Sequence, residues 1–118
     1  MATNVLGRYG ENAAARRLVS EGWEILDRNW RCARGELDIV ARDGGCAVFV
    51  EVKTRRTSTY GSAVEAVDER KLARLRQLAA AWLHAHPEPR FAEIRIDVIG
   101  IAIPPGGAPE FDHLRAVG

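Results

Sequence analysis

At 118 residues the chain is long enough to bury one core but not two, which makes it a single domain. Its 47% hydrophobic and 28% charged residues are ordinary for a soluble globular chain, and no apolar run approaches the roughly 20 residues of a membrane span. The formal net charge of +1 hides an uneven basic set, in which Lys53 and Lys71 are the only lysines among 17 basic residues. Arginine's planar fork suits phosphate, so the bias leans towards polyanionic partners, and it fits a GC-rich coding sequence equally well. The two cysteines, Cys32 and Cys46, have no metal-ligand spacing and read as buried free thiols. The opening MATNVLGRYGEN lacks the apolar core of a signal peptide, so a cytoplasmic location without membrane attachment is expected.

Residues 8 to 21 are Ala-rich, free of Pro and closed by Gly22, which predicts a first helix. Trp23 to Trp30 reads as a strand, and Gly35 to Arg42 as a second. Asp43-Gly44-Gly45 is a hairpin turn leading into a third strand, Cys46 to Thr54. A polar loop, RRTSTYGS, precedes a long helix from about Ala63 to His86, stopped by Pro87 and Pro89. Ala92 to Ile103 forms a fourth strand, and PPGGAP marks a turn before a possible short edge strand. The order α-β-β-β-α-β predicts an α/β domain over residues 1–103, a mixed sheet flanked by helices, followed by a tail at 104–118.

Side chains on a strand alternate faces with a period of two. Leu37, Ile39 and Ala41 then share one face, and Glu36, Asp38 and Val40 the other. In the third strand Val48, Val50 and Val52 oppose Ala47, Phe49, Glu51 and Lys53. Counting outward from the turn pairs Arg42 with Cys46 and Asp38 with Val50, which leaves Asp38 within a residue of Glu51. One strand end therefore gathers Glu36, Asp38, Glu51 and Lys53. Glu11 lies with Ala14, Ala15 and Leu18 on the sheet-facing stripe of the first helix. Lys71 interrupts the apolar stripe of the second.

Each feature has an ordinary explanation alone. An E-x-K on a strand is often an exposed ion pair, Asp38 can cap a strand end, and Glu11 can be solvated in a frayed turn. Their conjunction is what points to a site. Converging carboxylates repel unless protonated or bridged by a hard cation. Mg²⁺ is held by one or two carboxylates and keeps water for chemistry. Lys53, two residues along the same face, is placed to contact a phosphate oxygen or to hold an attacking water. That combination is suited to metal-assisted phosphodiester hydrolysis.

The segments GRYGENAA, NWRCARGELDIVARDG, VFVEVKTR, YGSAVEAVDERKLARL and RIDVIGI, in this order, resemble the PD-(D/E)XK, or restriction-endonuclease-like, nuclease superfamily. The nearest resemblance is to the YraN-like group of small bacterial proteins, which is also similar to archaeal Holliday-junction resolvases. It covers about Gly7 to Ile101. The resemblance implies Asp38 and Glu51 as metal ligands, with the backbone carbonyl of Val52, and Mg²⁺ as cofactor with Mn²⁺ as a substitute. It further implies that Lys53 orients or polarises the attacking water, and that Glu11 completes the metal site or positions water. Glu36 becomes an outer partner. Leu37 stands where the superfamily's name places a Pro.

Arg55, Arg56 and Tyr60 follow Lys53 directly, and with Arg34 and Lys71 they form the expected nucleic-acid-binding set. Arginine forks suit phosphates and Tyr60 suits stacking on an unpaired base. No base-reading helix is evident, so the expected partner is DNA recognised by shape, such as a branched or repair intermediate. A homodimer is expected by analogy with resolvase-like relatives. Two rivals stay open: a nucleic-acid-binding module of the same fold with little or no hydrolysis, and a structural salt-bridge cluster.

Overall fold

Helix α1 (Val5–Ser20) buries Ala14, Ala15 and Leu18, as the stripe predicts, and also Gly10 and Ala13, while Glu11 at the start of the stripe is half-buried. It closes at Gly22, whose φ of 91° lets the Trp23 N–H return to the Leu18 carbonyl at 3.0 Å. Strands β1 (Glu24–Cys32), β2 (Gly35–Asp43) and β3 (Cys46–Arg55) follow, then helix α2 (Glu69–Ala85), β4 (Glu93–Ala102) and β5 (Glu110–Leu114). The computed structural model describes residues 5–56 and 67–118.

The five strands form one mixed sheet in the order β1-β2-β3-β4-β5. The first three are antiparallel neighbours, β3 and β4 are parallel across α2, and β5 runs antiparallel to β4 at the edge. The expected α/β mixed sheet with flanking helices is thus present, and the expected edge strand in the tail is β5. Among the described residues no helix is long and apolar enough to cross a membrane.

Three sequence expectations shift. The β2–β3 hairpin pairs Asp43 with Cys46 across a two-residue Gly44-Gly45 turn, one residue away from the Arg42–Cys46 pairing expected. Gly44 takes φ 61°, which a tight turn of this kind requires and which glycine adopts freely. Helix α2 starts at Glu69 rather than near Ala63, because Asp68 is extended and its carboxylate caps the Lys71 N–H at 2.9 Å. Finally, Leu37 does not share a face with Ile39 and Ala41. Ile39, Ala41, Val48 and Val50 pack beneath α1, whereas Leu37 packs with Val40, Phe49, Leu75 and Trp82 beneath α2.

The cause of that last shift lies in β1. Asn29 adopts φ 52° in mid-strand, and the ladder partners step from Arg28↔Ile39 to Trp30↔Leu37, passing over Asn29 and Asp38. The alternation is reset there in both strands. Arg28 reaches Asn12 of α1 at 2.8 Å, while Trp30 joins the α2 side.

A fully buried acid, Asp97, fastens β4 to the C-terminal segment. Its carboxylate accepts from Arg95 at 2.9 and 3.1 Å, from the Ala116 N–H at 3.0 Å, and meets His113 Nε2 at 2.8 Å. Burial favours the protonated acid, but the hydrogen bonds from His113, Arg95 and Ala116 outweigh it and hold Asp97 below the usual carboxylate range. Arg95 and Arg115 also lie over the Trp23 ring, at 5.2 and 5.4 Å from its centroid. Asp97→Asn removes the charge with little change of shape, and a broken buried pair typically costs about 3 kcal/mol. The urea midpoint at pH 7 should fall accordingly, and the gap to wild type should close as acid protonates Asp97. An unchanged midpoint at pH 7 would contradict this role.

Candidate metal and nucleic-acid site

Strand β2 leaves β3 at Asp38. Their ladder runs from Asp43↔Cys46 to Ile39↔Val50 and stops there, while β2 stays paired with β1 through Cys32↔Gly35. Beyond that point β3 continues beside β4 as far as Arg55↔Ala102. The two strands splay, and the Val52 N–H that a continued ladder would have engaged donates instead to Asp38 Oδ2 at 2.9 Å. A side-chain carboxylate thus stands where a main-chain acceptor would be, and it lies in the opening between the strands.

Glu51 is next to that opening and is buried, with its side chain 10% exposed. It follows Ala47 and Phe49 onto the α2 side, as the alternation predicts. There its Oε2 meets the Lys71 ammonium at 2.7 Å. Lys53 follows on the same strand, half-buried, and its side chain has no ion pair or hydrogen bond among the described residues. Glu11 comes from α1 and accepts from Asn29 Nδ2 at 2.8 Å. Its helix lies close on β3, because a Cβ at Gly10 would overlap Thr54 Oγ1.

Electrostatics joins these groups. Burial, and next the negative charge of Glu51, push Asp38 from 3.8 up to about 7. The Val52 hydrogen bond opposes that rise, and the charges of Glu11 and Glu36 add smaller pushes upward. Glu51, Glu11 and Glu36 all therefore act on one carboxyl group, as the sequence expected of converging acids. Glu36 itself is held outward by Arg31 at 3.4 Å.

Among the described residues no three His, Cys, Asp or Glu side chains form a ready-made metal cage. The donor chemistry nevertheless fits a hard divalent cation. Mg²⁺ needs only one or two carboxylates and retains its waters, and a half-buried acid that keeps its proton through desolvation and a second acid's charge is relieved by such an ion. Zinc or copper would want imidazole or thiolate, which these positions lack.

The expected nucleic-acid contacts are placed unevenly. Arg56 is exposed just past β3, and Arg55 is half-buried at its end. Arg34, in the β1–β2 turn, reaches Gln77 of α2 at 3.3 Å. Lys71, expected at a phosphate-binding rim, is engaged with Glu51 instead. Tyr60 and the start expected for the second helix lie outside the described residues. Sequence reading missed Asn29, whose left-handed backbone and amide both serve the site. Its only signal was that asparagine tolerates this conformation better than its neighbours in the strand.

A family model described as uncharacterised protein family UPF0102 matches residues 10–101, a span that includes Glu11, Asp38, Glu51 and Lys53. A UPF0102 protein of Kineococcus radiotolerans is 49% identical over 98% of this chain and 95% of its own length. One from Beutenbergia cavernae is 52% identical over 99% and 98%. Another, from Frankia alni, is 53% identical over 97% and 94%.

Two outcomes follow from this geometry. The folded chain keeps the Asp38 proton up to about pH 7, whereas an unfolded aspartate releases it near 3.8. Between those values the folded state binds more protons, so this group makes stability fall as pH rises and level off above the window. Urea melts with chelator from pH 4.5 to 8 (roughly the span of that shift) should show the decline in wild type and a shallower one in Asp38→Asn. Equal slopes would contradict the raised value. Gly10→Ala should destabilise by about 1–3 kcal/mol, since Thr54 must give way to the added methyl. A neutral result would mean that α1 does not sit this close to β3.

Proposed function

The chain belongs to the UPF0102 family, and from that premise we propose that it is a metal-dependent endonuclease of the PD-(D/E)XK, restriction-endonuclease-like kind, hydrolysing phosphodiester bonds in DNA. The observation that carries this reading is the splayed β2–β3 opening, with Asp38 and Glu51 at its edge and, one step along, Lys53, whose side chain has no ion pair among the described residues. Branched or repair-intermediate DNA is the substrate class it suits, because the exposed Arg34 and Arg56 offer phosphate contacts and no helix among the described residues is set to read bases.

Asp38 and Glu51, with the Val52 backbone carbonyl, would hold Mg²⁺, with Mn²⁺ as its substitute. When bound, the ion supplies polarisation of the scissile phosphate and a lowered pKa for the attacking water. Lys53 keeps its ammonium free for the developing negative charge on the phosphate or for the water that attacks it. Glu11, held by Asn29, orients that water from the α1 side. Arg34, Arg55 and Arg56 hold the phosphodiester backbone against the opening, with Tyr60 stacking on an unpaired base. A homodimer would present two such openings to a junction with two scissile strands, within the cytoplasm.

A second reading has one observation in its favour. Lys71 already neutralises Glu51 at 2.7 Å, as it would in a nucleic-acid-binding module that does not hydrolyse. Cleavage separates the two. Labelled duplex, single-stranded, flap and four-way-junction DNA are incubated with Mg²⁺ or Mn²⁺ and wild type, Asp38→Asn or Lys53→Met. The nuclease reading expects cutting by wild type, none by Asp38→Asn, and a loss of about 10²- to 10³-fold for Lys53→Met. Equal cutting by all three, or binding without cutting, would sink it.

A further inference from the structure

Lys71 sits in an unfavourable place for a cation. With Asp68 as the cap it is the third residue of α2, facing the positive end of the helix dipole, where an acid is preferred. Its ammonium nevertheless lies 2.7 Å from Glu51, whose side chain is 10% exposed against 32% for Lys71. The buried member is thus the acid, and the partner reaches in from the surface on a flexible stem. Lys53 is nearer in sequence and on the same strand face, yet it leaves Glu51 alone. A carboxylate buried this deeply beside a second acid needs a positive partner at all times. The chain supplies one from the side of the molecule that opens to solvent.

We propose that the Lys71 ammonium is a resident, displaceable counter-ion of Glu51, occupying that carboxylate until a divalent cation takes it and releases the lysine towards the mouth of the site. This rests on the metal-binding part of the function proposed above. It assigns to a residue of α2 the control of when Glu51 becomes a ligand. The exchange is one of charge alone: an ammonium leaves a carboxylate and a hydrated dication arrives, with no bond made or broken within the protein. Once released, the ammonium stands beside the exposed Arg74 (residues three apart share a helix face), where it adds to a phosphate-binding edge.

The test has two arms. Mn²⁺ affinity is measured by electron paramagnetic resonance of the free ion for wild type and Lys71→Met. Removing the competitor should tighten binding by about tenfold, which corresponds to a single ion pair's worth of competition. Because the chain has only two lysines, ¹³C,¹⁵N-lysine labelling gives two side-chain signals, assigned by Lys53→Arg. Saturating Mg²⁺ should move the Lys71 signals to values typical of a free, exposed ammonium. This second arm uses the wild-type chain and decides the matter even where Lys71→Met fails to fold. Wild-type binding of Mn²⁺ with equal or weaker affinity in Lys71→Met, or unmoved Lys71 signals at saturation, overturns the displacement and leaves the metal site standing. Absence of Mn²⁺ binding to both proteins overturns the displacement and the metal site together.

Discussion

The hydrogen bond from the Val52 N–H to the Asp38 carboxylate, 2.9 Å long, occupies a place that a regular ladder gives to a carbonyl oxygen. Because the side chain meets the donor's need, β3 loses nothing when β2 turns away from it. The splay lets β2 stay with β1 while β3 stays with β4, and it creates an opening inside a continuous sheet. Everything at the site is arranged around that opening. Asn29 sits opposite Asp38 in β1 and absorbs the change of alternation with its left-handed backbone. Its amide then anchors Glu11, so one residue relieves the strand and fixes an acid on the neighbouring helix.

Asp38, half-buried, and Asp97, fully buried, show how one sheet treats two acids in opposite ways. Asp97 has a bidentate arginine, a histidine and a main-chain N–H, and its acidity is strengthened. Asp38 has one N–H and three acidic neighbours, and its proton is retained to about 7. The first arrangement is complete within the chain and serves to lock β4 to β5. The second is incomplete, and an incomplete set of acids in an opening is what a cation would finish. Glu51 lies between the extremes, since its partner Lys71 is a half-buried lysine on another element rather than a fixed fork.

Most of the architecture was legible because it rests on local signals. The Gly44-Gly45 turn, the alternation in β3, the sheet-facing stripe of α1 and the prolines after α2 each act within a few residues. The closeness of Asp38 to Glu51 could be counted from the turn, with an error of one residue in register. What escaped was set by tertiary partners. Leu37 changes sides because of Asn29, a residue on a different strand whose left-handed φ leaves no periodic trace. The start of α2 was missed although Asp68 is a good cap, because the Ala and Val residues before it read as helical. The Asp97 cluster was hidden in the same way. Arg95 is two residues away on the same strand, but His113 and Ala116 reach it only once β5 has docked.

The claim at the centre is that Asp38 and Glu51 form one cation site. A crystal of the full chain grown with Mn²⁺, with diffraction collected at the manganese absorption edge, addresses it directly. An anomalous peak between the two carboxylates, at oxygen–metal distances of about 2.0–2.3 Å, is the result expected for a hard divalent ion. A saturated Mn²⁺ soak that leaves Glu51 on Lys71, and that shows either no anomalous peak or a peak away from Asp38, would contradict it.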